Sequence, residues 1–156
     1  MVFILIVYIN NGLFLFLVAF LEKLQTYHPL PSDLILHLGK IYQFSDTSNS
    51  EIRLRYYEVV FLDPSTTAAK ELVVAAMKWV IGEDGSGSIK GRMKFCRPIF
   101  RMCSRVERQL ILDNWKRVKS SFHPIAQKLI DKVSKSVMNW LGLTYVYQSF
   151  RICRQT

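Results

Sequence analysis

Residues 48–61 read SNSEIRLRYYEVVF, and they set the pattern for the whole chain. Ser48 and Glu51 have capping-box spacing, in which each side chain satisfies the other's free N–H at a helix start. Behind them Ile52, Tyr56 and Val59 recur on one helical face, while Arg53, Arg55 and Glu58 fall largely elsewhere. The neighbouring segments follow the same grammar. Leu17 to Tyr27 reads as a helix stopped by the prolines of HPLP, and Ser32 is placed to cap another carrying Leu34, Ile35, Leu38 and Ile41. Pro64 starts PSTTAAKELVVAAMKWVIG, with Gly82 as the residue just past its end. EDGSGS (83–88) reads as a flexible surface loop. A short helix from about Arg97 to Cys103 follows, then a second capping box, Ser104 with Glu107, opening RVERQLILDNWKRVKSSF. Pro124 suits the first turn of a last helix, HPIAQKLIDKVSKSVMNW. Only the tail, LTYVYQSF, alternates as a strand would. The expected fold is all-α: a two-layer stack of antiparallel helix pairs, armadillo- or HEAT-like in architecture, without a repeating sequence period.

A chain of 156 residues can bury one real core, and half its residues are hydrophobic, which excludes disorder. The net charge of +9 is concentrated: ten Lys and Arg lie between Lys90 and Lys119, against Glu107 and Asp113 alone. Such a field attracts anions without choosing among them. Cys96, Cys103 and Cys153 form no CxxC pair and read as reduced thiols of an intracellular protein. Residues 1–20 carry no charge and are long enough to cross a bilayer, so a membrane segment is one reading. Against it, no Lys or Arg precedes the run, Asn10-Asn11-Gly12 puts a turn signal in its middle, and it passes directly into FLEKLQ.

No catalytic centre is legible. His28, His37 and His123 are isolated; His28 and His123, each beside a proline, read as helix-opening residues. HExxH, GxSxG, P-loop and GxGxxG motifs are absent. Cations near Cys96 could lower its pKa, but it has no base partner.

GRMKFCRPIF (91–100) sets Arg92, Lys94 and Arg97 among Met93, Phe95, Ile99 and Phe100. By itself it fits a nucleic-acid contact, a membrane-surface helix, a carboxylate pocket or an ordinary amphipathic turn. Together with NSEIRLRYYEVV (49–60) and SSFHPIAQKLIDK (120–132), in that order, it resembles the C-terminal helical domain of leukotriene A4 hydrolase and its aminopeptidase relatives, zinc metallopeptidases of the M1 class. FLEKL and LPSDLILHLGKIYQF fit the start of that domain, and the resemblance covers about residues 16–133.

The resemblance implies that Arg92 and Lys94 line a substrate channel and hold the carboxylate of a peptide or fatty-acid-derived substrate. Arg97 would be a structural cation beside Pro98, and Phe95, Ile99 and Phe100 core. It also implies an M1 catalytic domain as partner, normally in the same chain, and a cytoplasmic location. The family's zinc ligands, Gly-x-Met-Glu-Asn segment and catalytic Tyr have no counterpart here. The expectation is therefore a chain that binds no cofactor, is inactive alone, and corresponds to a fragment of a zinc aminopeptidase. Its parts would be a divergent apolar leader (1–15), the helical domain (16–133) and a divergent tail (134–156). The alternatives are a basic helical module binding nucleic acid or acidic proteins, or a small protein anchored in a membrane through residues 1–20. Nucleic acid is not expected, because Phe95, Phe100, Trp115 and Phe122 sit at core spacing and form no stacking platform.

Overall fold

A computed structural model describes residues 14–27 and 29–133. Every regular element among them is helical: α1 (14–24), α2 (Ser32–Tyr42), α3 (Ser50–Val60), α4 (Thr67–Ile81), α5 (Met93–Val106), α6 (Arg108–Val118) and α7 (124–133). A 3₁₀ turn, Lys119–Ser121, precedes α7. The strand expected at LTYVYQSF, most of the apolar leader, His28 and Cys153 lie outside the described residues.

Asn49, not Ser48, caps α3: its Oδ1 accepts from the N–H of Glu51 at 3.0 Å and of Ile52 at 3.5 Å. The N–H of Asn49 donates instead to Thr47 Oγ1 at 3.2 Å. Glu51 is thus released from the reciprocal bond a capping box would have given it. Other helix starts shift for similar local reasons. Thr66 caps α4 through the N–H of Ala69 (3.2 Å), leaving Pro64 in the preceding turn. Ser32 is the first residue of α2 and caps nothing there; its Oγ accepts from the N–H of Ala68 at 3.3 Å and ties α2 to the start of α4.

The segment expected to break into a short helix and a second capping box is one helix, α5, with Pro98 inside it. Proline lacks the N–H that would have bonded to Lys94, so near the helix start a single bond is forfeited. Ser104 Oγ donates to the carbonyl of Arg101 at 2.8 Å, and the extended Glu107 separates α5 from α6.

Contacts run between helices one or two places apart: α4 packs on α2, α3 and α5, and α5 on α3, α4 and α6. The core centres on Tyr57, Phe61, Trp79 and Phe100. Edge-to-face contacts among Phe100, Trp115 and Phe122 close the α5–α6 end. The indole N–H of Trp115 donates to Asp131 at 2.9 Å and binds α7 to α6.

Helix α3 is buried more fully than its pattern suggests. Arg53, expected on an outer face, is only 8% exposed. Its Nη1 donates to Asp84 Oδ2 at 2.7 Å, and its guanidinium lies 5.4 Å from the Trp79 ring centroid. Asp84 belongs to the 83–88 loop, which is on the surface but tethered. Asp84 Oδ1 accepts from the N–H (3.1 Å) and hydroxyl (2.6 Å) of Ser86, while Arg117 of α6 forks onto Glu83. Gly82 ends α4 at φ 80°, as its sequence position implies, and a Cβ there would come within 2.9 Å of the Ser88 and Ile89 backbone. The returning chain then donates from the Lys90 N–H to the carbonyl of Val80 at 2.9 Å. These bonds fix where α5 begins.

Two predictions follow from this packing. Tyr56 Oη donates to the carbonyl of Ile35 at 3.2 Å, and a Cβ on Gly39 would collide with the Tyr56 hydroxyl oxygen. Gly39→Ala should therefore destabilise the chain by about 1–3 kcal/mol in urea denaturation, and by less in a Tyr56→Phe background. For Asp84, burial pushes the carboxyl pKa up, but the Ser86 hydrogen bonds and the Arg53 charge outweigh it, so the pKa falls below the usual value. A depressed carboxyl stabilises the fold above its unfolded pKa and loses that contribution as pH falls through the folded value. Asp84→Asn should cost about 3 kcal/mol at pH 7. The gap to the parent should narrow below about pH 4 in chemical denaturation.

Candidate carboxylate-binding site

Arg92 is the last residue before α5. Its backbone is extended (φ −63°, ψ 130°), and its carbonyl accepts from the N–H groups of Phe95 (2.9 Å) and Cys96 (3.1 Å). The side chain caps nothing, is exposed, and makes no ion pair with a described residue. Lys94, two residues on, is exposed too, with Nζ 2.6 Å from Glu51 Oε1. Glu51 is the carboxylate freed by the Asn49 cap, so the start of α3 meets the start of α5 here.

The sequence singled out Arg92 and Lys94 and missed Glu51 as their neighbour. Its only signal was membership of the NSEIR segment, where capping explained it more simply. Chemically, Arg92 offers an open guanidinium able to grip a carboxylate through two parallel N–H bonds. Lys94 carries three donors, so bonding to Glu51 does not exhaust it. With the Lys94 side chain 53% exposed, that pair contributes at most about 1 kcal/mol. An incoming carboxylate can compete with so weak a partner.

Arg97 does not serve the structural role expected of it: it is exposed and pairs with no described carboxylate. Phe95, Ile99 and Phe100 are core, as expected. Cys96 is buried, with Sγ 3.7 Å from the carbonyl of Gly91, and burial pushes its pKa up. The expectation that nearby cations would lower it is overturned, because desolvation of the thiolate outweighs exposed charges. Cys103, also a free thiol, is pushed up further by burial. His123 Nδ1 accepts from the N–H of Ile125 at 3.3 Å, at the opening of α7. Among the described residues no three His, Cys, Asp or Glu side chains gather as metal ligands, so they do not fit the zinc of the M1 class. No described helix is long and apolar enough to cross a membrane.

The family model described as "Leukotriene A4 hydrolase, C-terminal" matches residues 16–134. The chain is 29% identical over 117 residues to leucine aminopeptidase 2 of Chaetomium globosum, covering 74% of this chain and 17% of that protein. Identity to leucine aminopeptidase 2 of Neurospora crassa is 30% over 115 residues (73% and 16%). For the Aspergillus niger protein of the same name it is 31% over 117 residues (74% and 17%). This chain therefore spans about one sixth of the length of these relatives. No solved structure matches. With the match running over residues 16–134, most of its length, the chain belongs to the leukotriene A4 hydrolase C-terminal domain family.

Proposed function

We propose that this chain supplies the carboxylate-recognising wall of a substrate channel in an aminopeptidase of the M1 class. The observation that carries the reading is Arg92: an exposed guanidinium at the start of α5, ion-paired to no described residue, with Lys94 alongside, inside the family match. In this reading Arg92 grips the substrate carboxylate and Lys94 adds a second donor while sharing its charge with Glu51. Fixing one end of a substrate sets the reach of the other, so the pair would act as a ruler for the distant reacting bond. The channel's remaining walls and the zinc-dependent chemistry would come from an M1 catalytic domain in the same protein, working in the cytoplasm. Zinc, when held there, would activate a water for attack on the peptide bond; nothing in residues 16–134 is assigned to that step.

The reading is tested by placing residues 16–134 of this chain into a full-length leucine aminopeptidase 2 in place of its own corresponding segment. The active chimera is then compared with its Arg92→Ala version on two substrates. A tripeptide ends in a carboxylate, and an amino-acid anilide does not. The variant should lose roughly tenfold or more in kcat/KM on the tripeptide, the scale of a charged hydrogen bond. Cleavage of the anilide should be unchanged. Equal kinetics on the tripeptide would remove the site assignment.

A further inference from the structure

A second basic feature lies further along α5. Arg97, Arg101 and Arg105 follow one another at four-residue spacing, on the side opposite the buried Cys96, Ile99, Phe100 and Cys103. Steps of one turn put successive guanidinium roots about 6 Å apart along the axis. Across from them α7 contributes Lys132, and Leu129 with Val133 helps line an open concavity of about 260 Å³. All four cations are exposed, and none is ion-paired to a described residue. Of the carboxylates nearby, Glu107 pairs with none of the four, and Asp131 and Asp63 are committed elsewhere. Asp131 takes Trp115 and Lys119, and Asp63, which feels the Arg105 charge, is engaged by Ser65. The other acids of α1, α3 and the 83–88 loop hold Arg53, Arg55, Lys94 and Arg117.

We infer that this groove, formed by Arg97, Arg101, Arg105 and Lys132, binds a compact, multiply phosphorylated anion. Four like charges around one small concavity repel one another until a counter-charge of similar density sits between them. A single carboxylate supplies only one charge. Phosphate presents several acceptor oxygens in a geometry that matches the guanidinium fork, and three of the four cations are arginine. The groove is also short, so it suits a clustered anion better than a nucleic-acid duplex. This inference does not depend on the carboxylate role of Arg92.

The test uses the whole chain at about 0.15 M salt, where unspecific surface attraction is largely screened. Inositol hexakisphosphate and pyrophosphate serve as soluble probes in calorimetry. Phosphatidylcholine vesicles with and without phosphatidylinositol 4,5-bisphosphate serve as the lipid arm in sedimentation. Saturable binding is expected, weakened by about tenfold or more in an Arg101→Gln/Arg105→Gln double variant. The control Lys116→Gln, which removes an exposed cation outside the groove, should bind as the parent does. Thermal melts of the ligand-free variants should match the parent. A preference for vesicles over the soluble probes would identify a headgroup as the phosphate source, and the reverse a free polyphosphate; both support the groove. Three results would overturn it: no saturable binding in either arm, an equal loss in Lys116→Gln, or equal binding of citrate, which would point to a carboxylate partner.

Discussion

The ion pair between Arg53 and Asp84 is the constraint on which the rest of the structure leans. It joins the middle of α3 to the loop after α4, and both side chains are about nine-tenths buried. Such a pair is poor value as net stabilisation, because desolvating two charges consumes most of their attraction. Neither is it perfectly satisfied: Arg53 Nε and the buried Tyr57 hydroxyl make no well-aligned hydrogen bond, although the Arg53 charge acts on that hydroxyl. Its effect is positional. Removing either partner strands a buried charge, so the loop must return to this one place, and Gly82, Ser86 and Lys90 then lead the chain into α5. The position of Arg92 is inherited from that closure.

The concentrated positive charge is sorted by the fold into paired and unpaired groups. Glu51 takes Lys94, Glu83 takes Arg117, and Glu58 with Glu22 takes Arg55. Left with no ion pair to a described residue are Arg92 at the start of α5 and the arginine row along it, and, outside α5, Lys90 and Lys116. Composition could not make this distinction, because it depends on acids far away in sequence: Glu51 stands more than forty residues before Lys94. Exposed pairs contribute little energy individually. Their consequence is selectivity, since they decide which cations are left to meet an outside anion.

The helical architecture was legible because its signals are local: apolar spacing in α3 and α4, Gly82 past the end of α4, and Pro124 opening α7. The core placement of Phe95, Phe100, Trp115 and Phe122 was legible for the same reason. What misled were choices between adjacent candidates. Ser48 and Asn49 are both competent caps, and the helix starts one residue later than expected, on Asn49, whose Oδ1 takes the Glu51 and Ile52 N–H groups. The helix expected only from about Arg97 starts at Met93, because Pro98 costs only one bond so near the start of α5. Arg53 looked like an outer-face residue because periodicity cannot see Trp79 and Asp84 waiting opposite. Arg92 and Lys94 came from motif resemblance, and their geometry is compatible with that role. The Arg97–Arg101–Arg105 row was visible only as charge, since Lys132 comes from a helix 27 residues beyond Arg105.

Helix α5 carries both open features, which raises the question of whether an anion in one affects the other. Its buried face, from Phe95 to Cys103, fixes the helix as one rod, so any coupling has to be electrostatic or transmitted along that rod. Arg97 is five residues from Arg92, about 7.5 Å along the axis, whereas Arg105 is thirteen away, about 20 Å. The screening length at physiological salt is about 8 Å. A charge bound near Arg97 is therefore felt at Arg92, and one held by Arg105 and Lys132 is not. The near end of the groove would modestly lower the pull on a carboxylate at Arg92, and only at low ionic strength would the far end join it. One helix would in this way carry two anion sites coupled only through their near ends, because its length exceeds the range over which water and salt let charges interact.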